Sequence, residues 1–75
     1  MKEQIKQIIS DVFSVDAADY ADDFDLKEIG LDSMSSVEVV VSLEEAFGIA
    51  VDDEDLLVEN LSTIASLVSL VEKYQ

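Results

Sequence analysis

The chain has 75 residues and carries eighteen acidic residues against four lysines, with neither cysteine nor histidine. This length predicts one domain, residues 1–75, with a small core. The lack of cysteine and histidine excludes disulfides, thiolate chemistry, the usual soft metal ligands and the usual general base. Apolar residues make up 49% of the chain, so it is expected to fold despite a net charge of −14.

The negative charge also limits the classes of partner. It repels nucleic-acid phosphates and anionic membrane surfaces, and it attracts partners that present lysine and arginine. The N-terminus, MKEQIKQ, lacks the apolar core of a signal peptide. We therefore expect a cytoplasmic monomer that neither binds nucleic acid nor inserts into membranes. The start methionine and the lack of a linker or repeat favour a free-standing unit.

The first predicted helix spans roughly Lys2–Ser14, where apolar residues follow the spacing of one helical stripe. Residues 15–32 are rich in Asp and Ala and show no sustained period, which predicts a long loop. Within this loop Asp25, Glu28 and Gly30 are spaced to cap one short helical turn. The apolar residues expected to anchor the loop to the core are Phe24, Leu26, Ile29 and Leu31.

The second predicted helix begins near Ser33 and ends at Gly48, a typical C-terminal stop. Its first residue has two candidate capping patterns. Asp32 can serve as the N-cap, and Ser35 with Glu38 offers a second capping box. The sequence therefore leaves the start of this helix open by a few residues.

Two further helical segments are predicted after the second helix. A short third helix over about Asp53–Val58 is expected to reach the core through Leu56 and Leu57. The last helix begins after Ser62, and no segment alternates with the period of a strand. The prediction is an all-α, small four-helix bundle, with three main helices, one short helix and a long first loop. The apolar stripe of the last helix contains Ile64, Leu67, Val68, Val71 and Tyr74.

The second helix is apolar on two sides. One side is expected to pack against the first and last helices, and it contains Val39, Val40, Leu43, Ala46 and Phe47. We call the other side the docking strip, and it contains Met34, Val37, Glu38, Val41, Glu44 and Glu45. Scattered exposed apolar residues are common and account for this side without any partner. Alternatively, its apolar residues bind a partner while its carboxylates steer basic surfaces toward it.

Ser33 stands at the start of the second helix, where ordinary helix capping would account for a serine. A catalytic serine needs a neighbouring base, and the chain offers only lysines and carboxylates. We therefore expect no enzyme active site. Covalent modification by another enzyme requires only an accessible hydroxyl. The free N–H groups and the dipole of a helix N-terminus favour an attached phosphate diester.

The segment from Ile29 to Ile49 reads IGLDSMSSVEVVVSLEEAFGI. It resembles the acyl carrier proteins, whose pattern is Gly-x-Asp-Ser-Leu, then Val-Glu two residues further on and Glu-Glu-x-Phe-Gly-Ile at the helix end. Chain length, acidity, the long first loop and the acidic DDEDL segment extend the resemblance over essentially the whole chain. The matching positions are Gly30, Asp32, Ser33, Val37, Glu38, Glu44, Glu45, Phe47, Gly48 and Ile49.

The resemblance implies that Ser33 carries 4′-phosphopantetheine. A phosphopantetheinyl transferase (holo-synthase) would transfer it from coenzyme A with a divalent metal, and the arm's thiol would then hold an acyl group as a thioester. In the family the residue at the position of Asp32 assists recognition by the transferase. The docking strip would bind acyl-loading and acyl-processing enzymes with basic patches, while the chain itself would hold no metal and catalyse nothing.

Two positions depart from the family pattern. Met34 stands where leucine is most frequent, and Asp52 where many fatty-acid carriers have proline. Asp-Ser-Met also occurs in carriers of polyketide, amino-acid and other specialised pathways, so an aminoacyl or peptidyl carrier is an alternative. The acidity of the second helix favours an acyl cargo.

A small acidic interaction protein or nucleic-acid mimic is a further alternative. The net negative charge is the only feature of the sequence that this alternative requires. Specific calcium binding is disfavoured because the runs DAADYADDFD and DDED lack the ligand register of an EF-hand. Weak binding of Mg²⁺ or Ca²⁺ that relieves self-repulsion stays an open alternative.

Overall fold

The computed structural model describes residues 1–75 and is all-helical, which confirms the predicted fold class. The three α-helices are α1 (Lys2–Phe13), α2 (Ser33–Phe47) and α3 (Ile64–Tyr74). Three short 3₁₀ turns lie between them, at Leu26–Ile29, Asp53–Asp55 and Val58–Leu61. The helix ends agree with the sequence prediction to within a residue or two. Ser14, predicted as the end of the first helix, is its C-cap in the left-handed conformation (φ 56°).

A single core holds the three helices together. α1 packs on both α2 and α3, and the turn at Val58–Leu61 packs on α2 and α3. Because the chain has no disulfide, this apolar packing supplies most of its stability. The 13 buried apolar residues are Ile5, Ile9, Ala17, Leu26, Leu31, Val39, Val40, Leu43, Leu61, Ile64, Leu67, Leu70 and Val71.

The buried face of α2 differs from the prediction at two positions. Val39, Val40 and Leu43 are buried as expected, and Phe47 packs on the core while half-buried. Ala46 is exposed, so its core assignment is wrong. At about 100° per residue Ala46 lies at the edge of the buried stripe, in the last turn of the helix. Ser36 also lies within the stripe and is only 2% exposed, although the sequence prediction did not include it in the core.

The long first loop is hydrogen-bonded to the rest of the fold at several points. The Lys2 ammonium group on α1 contacts the Asp22 carboxylate at 2.8 Å, and Lys6 donates to the Ala18 carbonyl at 3.2 Å. Further on, Leu26 N–H donates to the Ser62 carbonyl at 2.7 Å. Leu26 and Leu31 are buried, and Phe24 and Ile29 pack on the core, so the predicted anchors are confirmed.

The predicted third helix over Asp53–Val58 is wrong in form. Two 3₁₀ turns replace it, with Leu56 and Leu57 between them. Leu56 packs on the core, but Leu57 is 57% exposed and does not reach it. Its backbone makes only the short local bonds of a 3₁₀ turn, from Asp55 N–H to the Asp52 carbonyl and from Leu56 N–H to the Asp53 carbonyl, and further polar groups bond to α3. Asp52 N–H donates to the Tyr74 hydroxyl, and Asp55 accepts hydrogen bonds from Lys73 and Tyr74.

Candidate functional site

The start of α2 is positioned by the turn before it. Gly30 ends the Leu26–Ile29 turn with φ 113°, a conformation that strains any residue with a Cβ. Leu31 then points into the core and is 5% exposed, whereas Asp32 and Ser33 are exposed. The buried leucine therefore fixes the chain one residue before the two polar residues that begin the helix.

Asp32 is the N-cap of α2, which resolves the choice left open by the sequence. Its Oδ1 accepts from the N–H groups of Met34 at 3.0 Å and Ser35 at 2.9 Å. Ser35 completes a reciprocal capping box, because its hydroxyl oxygen accepts from Asp32 N–H at 2.9 Å. The box predicted between Ser35 and Glu38 does not form, since the Ser35 hydroxyl is already used at the N-cap.

The first turn of α2 contains three serines with different surroundings. Ser36 is buried, and its hydroxyl donates to the Ser33 carbonyl at 3.1 Å. Ser35 is half-buried and belongs to the capping box. Ser33 is exposed, and its hydroxyl has no hydrogen-bond partner among residues 1–75. Of the three, only Ser33 offers an accessible hydroxyl that is not already used within the fold.

The charge beside Ser33 is a carboxylate that the fold keeps ionised. The pKa of Asp32 is lowered from its ordinary value of 3.8, chiefly by the Ser35 N–H, then by the Ser35 hydroxyl and the Met34 N–H. All three donors favour the charged form. Asp32 therefore presents a negative charge next to the free hydroxyl of Ser33 at neutral pH.

The docking strip is largely open to solvent. Met34, Val37 and Val41 are 81%, 49% and 44% exposed, and Glu38 and Glu45 are exposed between them. An exposed apolar row beside carboxylates can bind a partner whose contact surface has apolar residues at its centre and basic residues around them.

One residue of the docking strip and one residue outside it differ from the sequence prediction in their surroundings. Glu44 is half-buried, and its Oε2 accepts from Val51 N–H at 2.9 Å, so it also holds the segment after α2. Leu57 is the residue that sequence reasoning placed in the core and the structure leaves exposed. Its position just before a turn that packs on α2 could not be read from periodicity.

The surface grooves of the protein are not lined by Ser33. Two open grooves of about 360 and 420 Å³ are present, one beside Lys2 and Lys6 and the other beside Asp55 and Lys73. No group of three or more histidines, cysteines or acids is placed to hold a metal ion. None of the helices is long and apolar enough to span a membrane.

The fold is a small helical bundle with an exposed serine at the start of its second helix, and its class is shown by the family that it matches. Residues 3–71 match the family described as "Phosphopantetheine attachment site". The chain is also 38% identical over 71 residues to the acyl carrier protein of Thermotoga maritima, covering 93% of this chain and 85% of that protein. It is 33% identical over 72 residues to the acyl carrier protein of Solidesulfovibrio magneticus, covering 95% and 90%. The chain belongs to the acyl carrier proteins, which are carriers of covalent phosphopantetheine rather than catalysts.

Solved structures share the fold. A chain from the crystal structure of an engineered Bradyrhizobium japonicum glycine:[carrier protein] ligase complexed with a carrier protein from Agrobacterium tumefaciens and AMP superposes with a TM-score of 0.85. It is 28% identical, and the match covers 96% of this chain and 99% of that one. A chain from the ishigamide ketosynthase/chain length factor structure has a TM-score of 0.76 at 23% identity, covering 97% and 90%, and shows the fold alone.

Proposed function

We propose that residues 1–75 form a single carrier domain in which Ser33 bears the phosphopantetheine arm. The arm's thiol holds acyl intermediates as thioesters for partner enzymes of fatty-acid, polyketide or related biosynthesis. The observation that carries this proposal is the free, exposed Ser33 hydroxyl in a helical turn whose other serines are both hydrogen-bonded. The protein acts as a monomer in the cytoplasm, where coenzyme A is available, and its net charge of −14 opposes self-association.

Attachment of the arm is a phosphoryl transfer in which this chain supplies the nucleophile. The Ser33 oxygen forms a bond to the phosphorus that bears the pantetheine of coenzyme A. The bond from that phosphorus to the departing 3′-phosphorylated adenosine phosphate breaks, and the hydroxyl proton leaves to a base on the transferase. Asp32, ionised and one residue away, is recognised by the transferase. The new phosphodiester then lies at the positive end of α2, which stabilises its charge.

The docking strip orients α2 toward partner enzymes. Glu38 and Glu45 attract lysine and arginine on the transferase and on acyl-processing enzymes, while Met34, Val37 and Val41 supply the apolar contact. Since Ser33 begins the same helix, an enzyme bound along the strip receives the arm at a fixed distance. Glu44 contributes to this surface with the part of its side chain that remains exposed.

An aminoacyl carrier is the second candidate. Its support is the structural relative crystallised with a glycine:[carrier protein] ligase, together with the departures at Met34 and Asp52. The exposed carboxylates of α2 favour the acyl cargo.

The cargo is tested on the phosphopantetheine-loaded chain, offered in parallel to ATP-dependent ligases for carboxylic acids and for amino acids. We expect an acyl mass gain that neutral hydroxylamine removes, as it does thioesters. Loading by amino-acid ligases alone would favour the second candidate.

A further inference from the structure

We propose that Ser35 is a positioning residue for transfer of the arm to Ser33, acting through the carboxylate of Asp32. This inference rests on the proposed modification of Ser33 and concerns a residue two positions further along the same turn. Ser35 is itself not a nucleophile here, because its hydroxyl is half-buried and already hydrogen-bonded. Its effect on the reaction is exerted through the orientation and charge of its neighbour.

The geometry around Asp32 is asymmetric. Three donors converge on Oδ1: Met34 N–H at 3.0 Å, Ser35 N–H at 2.9 Å and the Ser35 hydroxyl at 3.1 Å. The other oxygen, Oδ2, has no donor among residues 1–75. The fold therefore holds the carboxylate by one oxygen and leaves the second free for an external partner. That partner would be a donor or a hard cation at the transferase active site, since both favour carboxylate oxygen.

Ser35 constrains Asp32 from both its side chain and its backbone. The Ser35 hydroxyl oxygen accepts from Asp32 N–H at 2.9 Å. Its single proton lies within reach of Asp32 Oδ1 at 3.1 Å and of the Gly30 carbonyl at 3.2 Å. The hydroxyl thus joins the turn before the helix to the N-cap, and without it Asp32 keeps only two backbone donors. We expect the carboxylate then to sample other rotamers, in which Oδ2 no longer keeps one orientation.

The orientation of the Asp32 carboxylate matters for arm transfer because both coenzyme A and this chain are negatively charged. The diphosphate of coenzyme A is strongly anionic, so it reaches an acidic chain only with a divalent cation or a basic enzyme between them. A carboxylate held ionised and in one orientation is a better recognition element than a mobile one, because less entropy is lost on binding. The same Ser35 donors keep Asp32 ionised.

Ser66 supplies a matched control. It occupies the same third position of α3, where its N–H donates to the Thr63 Oγ1 at 3.0 Å and its hydroxyl accepts from Thr63 at 2.8 Å. Ser66→Ala removes a hydroxyl from an equivalent helix start that is remote from Ser33 in the sequence. It separates the general cost of a weakened cap from an effect on transfer.

The test measures kcat/KM for phosphopantetheine transfer by intact mass, with one transferase, coenzyme A and magnesium. The variants are Ser35→Ala, Ser35→Thr and Ser66→Ala in the native background, and Ser35→Ala in an Asp32→Asn background. Asparagine is itself a good N-cap, so the background variant keeps the helix start. Thermal melts establish that each variant is folded at the assay temperature.

We expect Ser35→Ala to lower kcat/KM about fivefold, the scale of one lost hydrogen bond. Ser35→Thr restores the rate, and Ser66→Ala leaves it unchanged. In the Asp32→Asn background Ser35→Ala has no further effect, because the two residues act as a unit. Equal rates for Ser35→Ala and the native chain, or the same loss in both backgrounds, would overturn the inference. A native chain that gains no mass would overturn the proposed function as well, so the two failures are distinguishable.

Discussion

The Tyr74 hydroxyl donates a hydrogen bond to the Asp55 carboxylate, which fastens the end of α3 to the acidic segment after α2. Lys73 approaches the same carboxylate at 2.9 Å, and Asp52 N–H donates to the Tyr74 hydroxyl oxygen at 3.2 Å. These contacts join residues that are 18 to 22 positions apart in the sequence. They hold a segment that has no α-helix of its own against the last helix.

This cluster predicts a loss of stability at both ends of the pH scale. The pKa of Asp55 is lowered from 3.8, first by the Tyr74 hydroxyl and then by Lys73. Its contribution is therefore complete above pH 3.8 and is lost as the pH falls through the lower folded-state value. The pKa of Tyr74 is raised from 10.0, chiefly by its hydrogen bond to Asp55. That contribution is complete below pH 10.0 and is lost as the pH rises through the folded-state value.

Thermal melts of the native chain and Tyr74→Phe across this pH range check the prediction. We expect Tyr74→Phe to melt at a lower temperature at neutral pH, with a smaller dependence on pH in acid and in alkali. Tyr20→Phe is the control, since Tyr20 contributes by stacking on Phe24 at 4.4 Å and loses only its hydroxyl. Identical pH profiles for the native chain and Tyr74→Phe would show that the cluster contributes nothing.

Two valines of α2 should separate folding from docking. Val39 is fully buried, so Val39→Ala is expected to lower the free energy of unfolding by roughly 1.5–3 kcal/mol. Val37 is 49% exposed, so Val37→Ala should change it by less than about 0.5 kcal/mol. Urea unfolding measures both. For the affinity of a partner enzyme we expect the opposite order, with a larger loss for Val37→Ala than for Val39→Ala. An unchanged affinity of Val37→Ala would place the docking surface elsewhere.

Charge reversal on the docking strip should slow association with partner enzymes. Glu38→Lys places a positive charge where a basic patch is expected to approach, so the association rate falls, and the deficit shrinks at high salt. Glu72→Lys on α3 changes the net charge of −14 by the same amount and controls for long-range attraction. Stopped-flow binding at several ionic strengths measures the effect. Equal rates for the two variants would assign steering to the overall charge alone.

Alanine substitutions at the two glycines should separate a general loss of stability from an effect on arm transfer. Gly30 and Gly48 both have positive φ, 113° and 66°. Replacing either with alanine should cost about 1–2 kcal/mol of stability by chemical unfolding. Only Gly30→Ala should also slow arm transfer, because Gly30 ends the turn that sets Asp32 and Ser33. Transfer slowed equally by Gly48→Ala would indicate that loss of stability, rather than the turn, is responsible.

The sequence was most informative where local physics decides the structure. Each of the three main helices has an apolar stripe, and α2 and α3 have side-chain N-caps at Asp32 and Thr63. Their bounds therefore followed from residues a few positions apart, although the sequence left two candidate caps for α2. The family resemblance rested on the same helix start and was confirmed by the matched relatives.

Contacts between distant residues account for what the sequence missed. The segment Asp53–Val58 was predicted as a short helix, but the Asp55 side chain bonds to Lys73 and Tyr74 on α3, a contact that no local pattern shows. Ser36 is buried because its hydroxyl is satisfied by the Ser33 carbonyl within the turn, so it behaves as a small core residue. Ala46 lies at the edge of the buried stripe of α2, and whether such a residue is buried depends on the helices that pack there.

The most direct test of the central claim is the intact mass of the native chain and of Ser33→Ala, before and after incubation with coenzyme A, magnesium and a broad-specificity phosphopantetheinyl transferase. Both proteins are first shown to be folded and unmodified. The native chain is expected to gain one phosphopantetheine, and Ser33→Ala none. A gain on Ser33→Ala, or no gain on the native chain, would contradict the assignment of Ser33 as the attachment site.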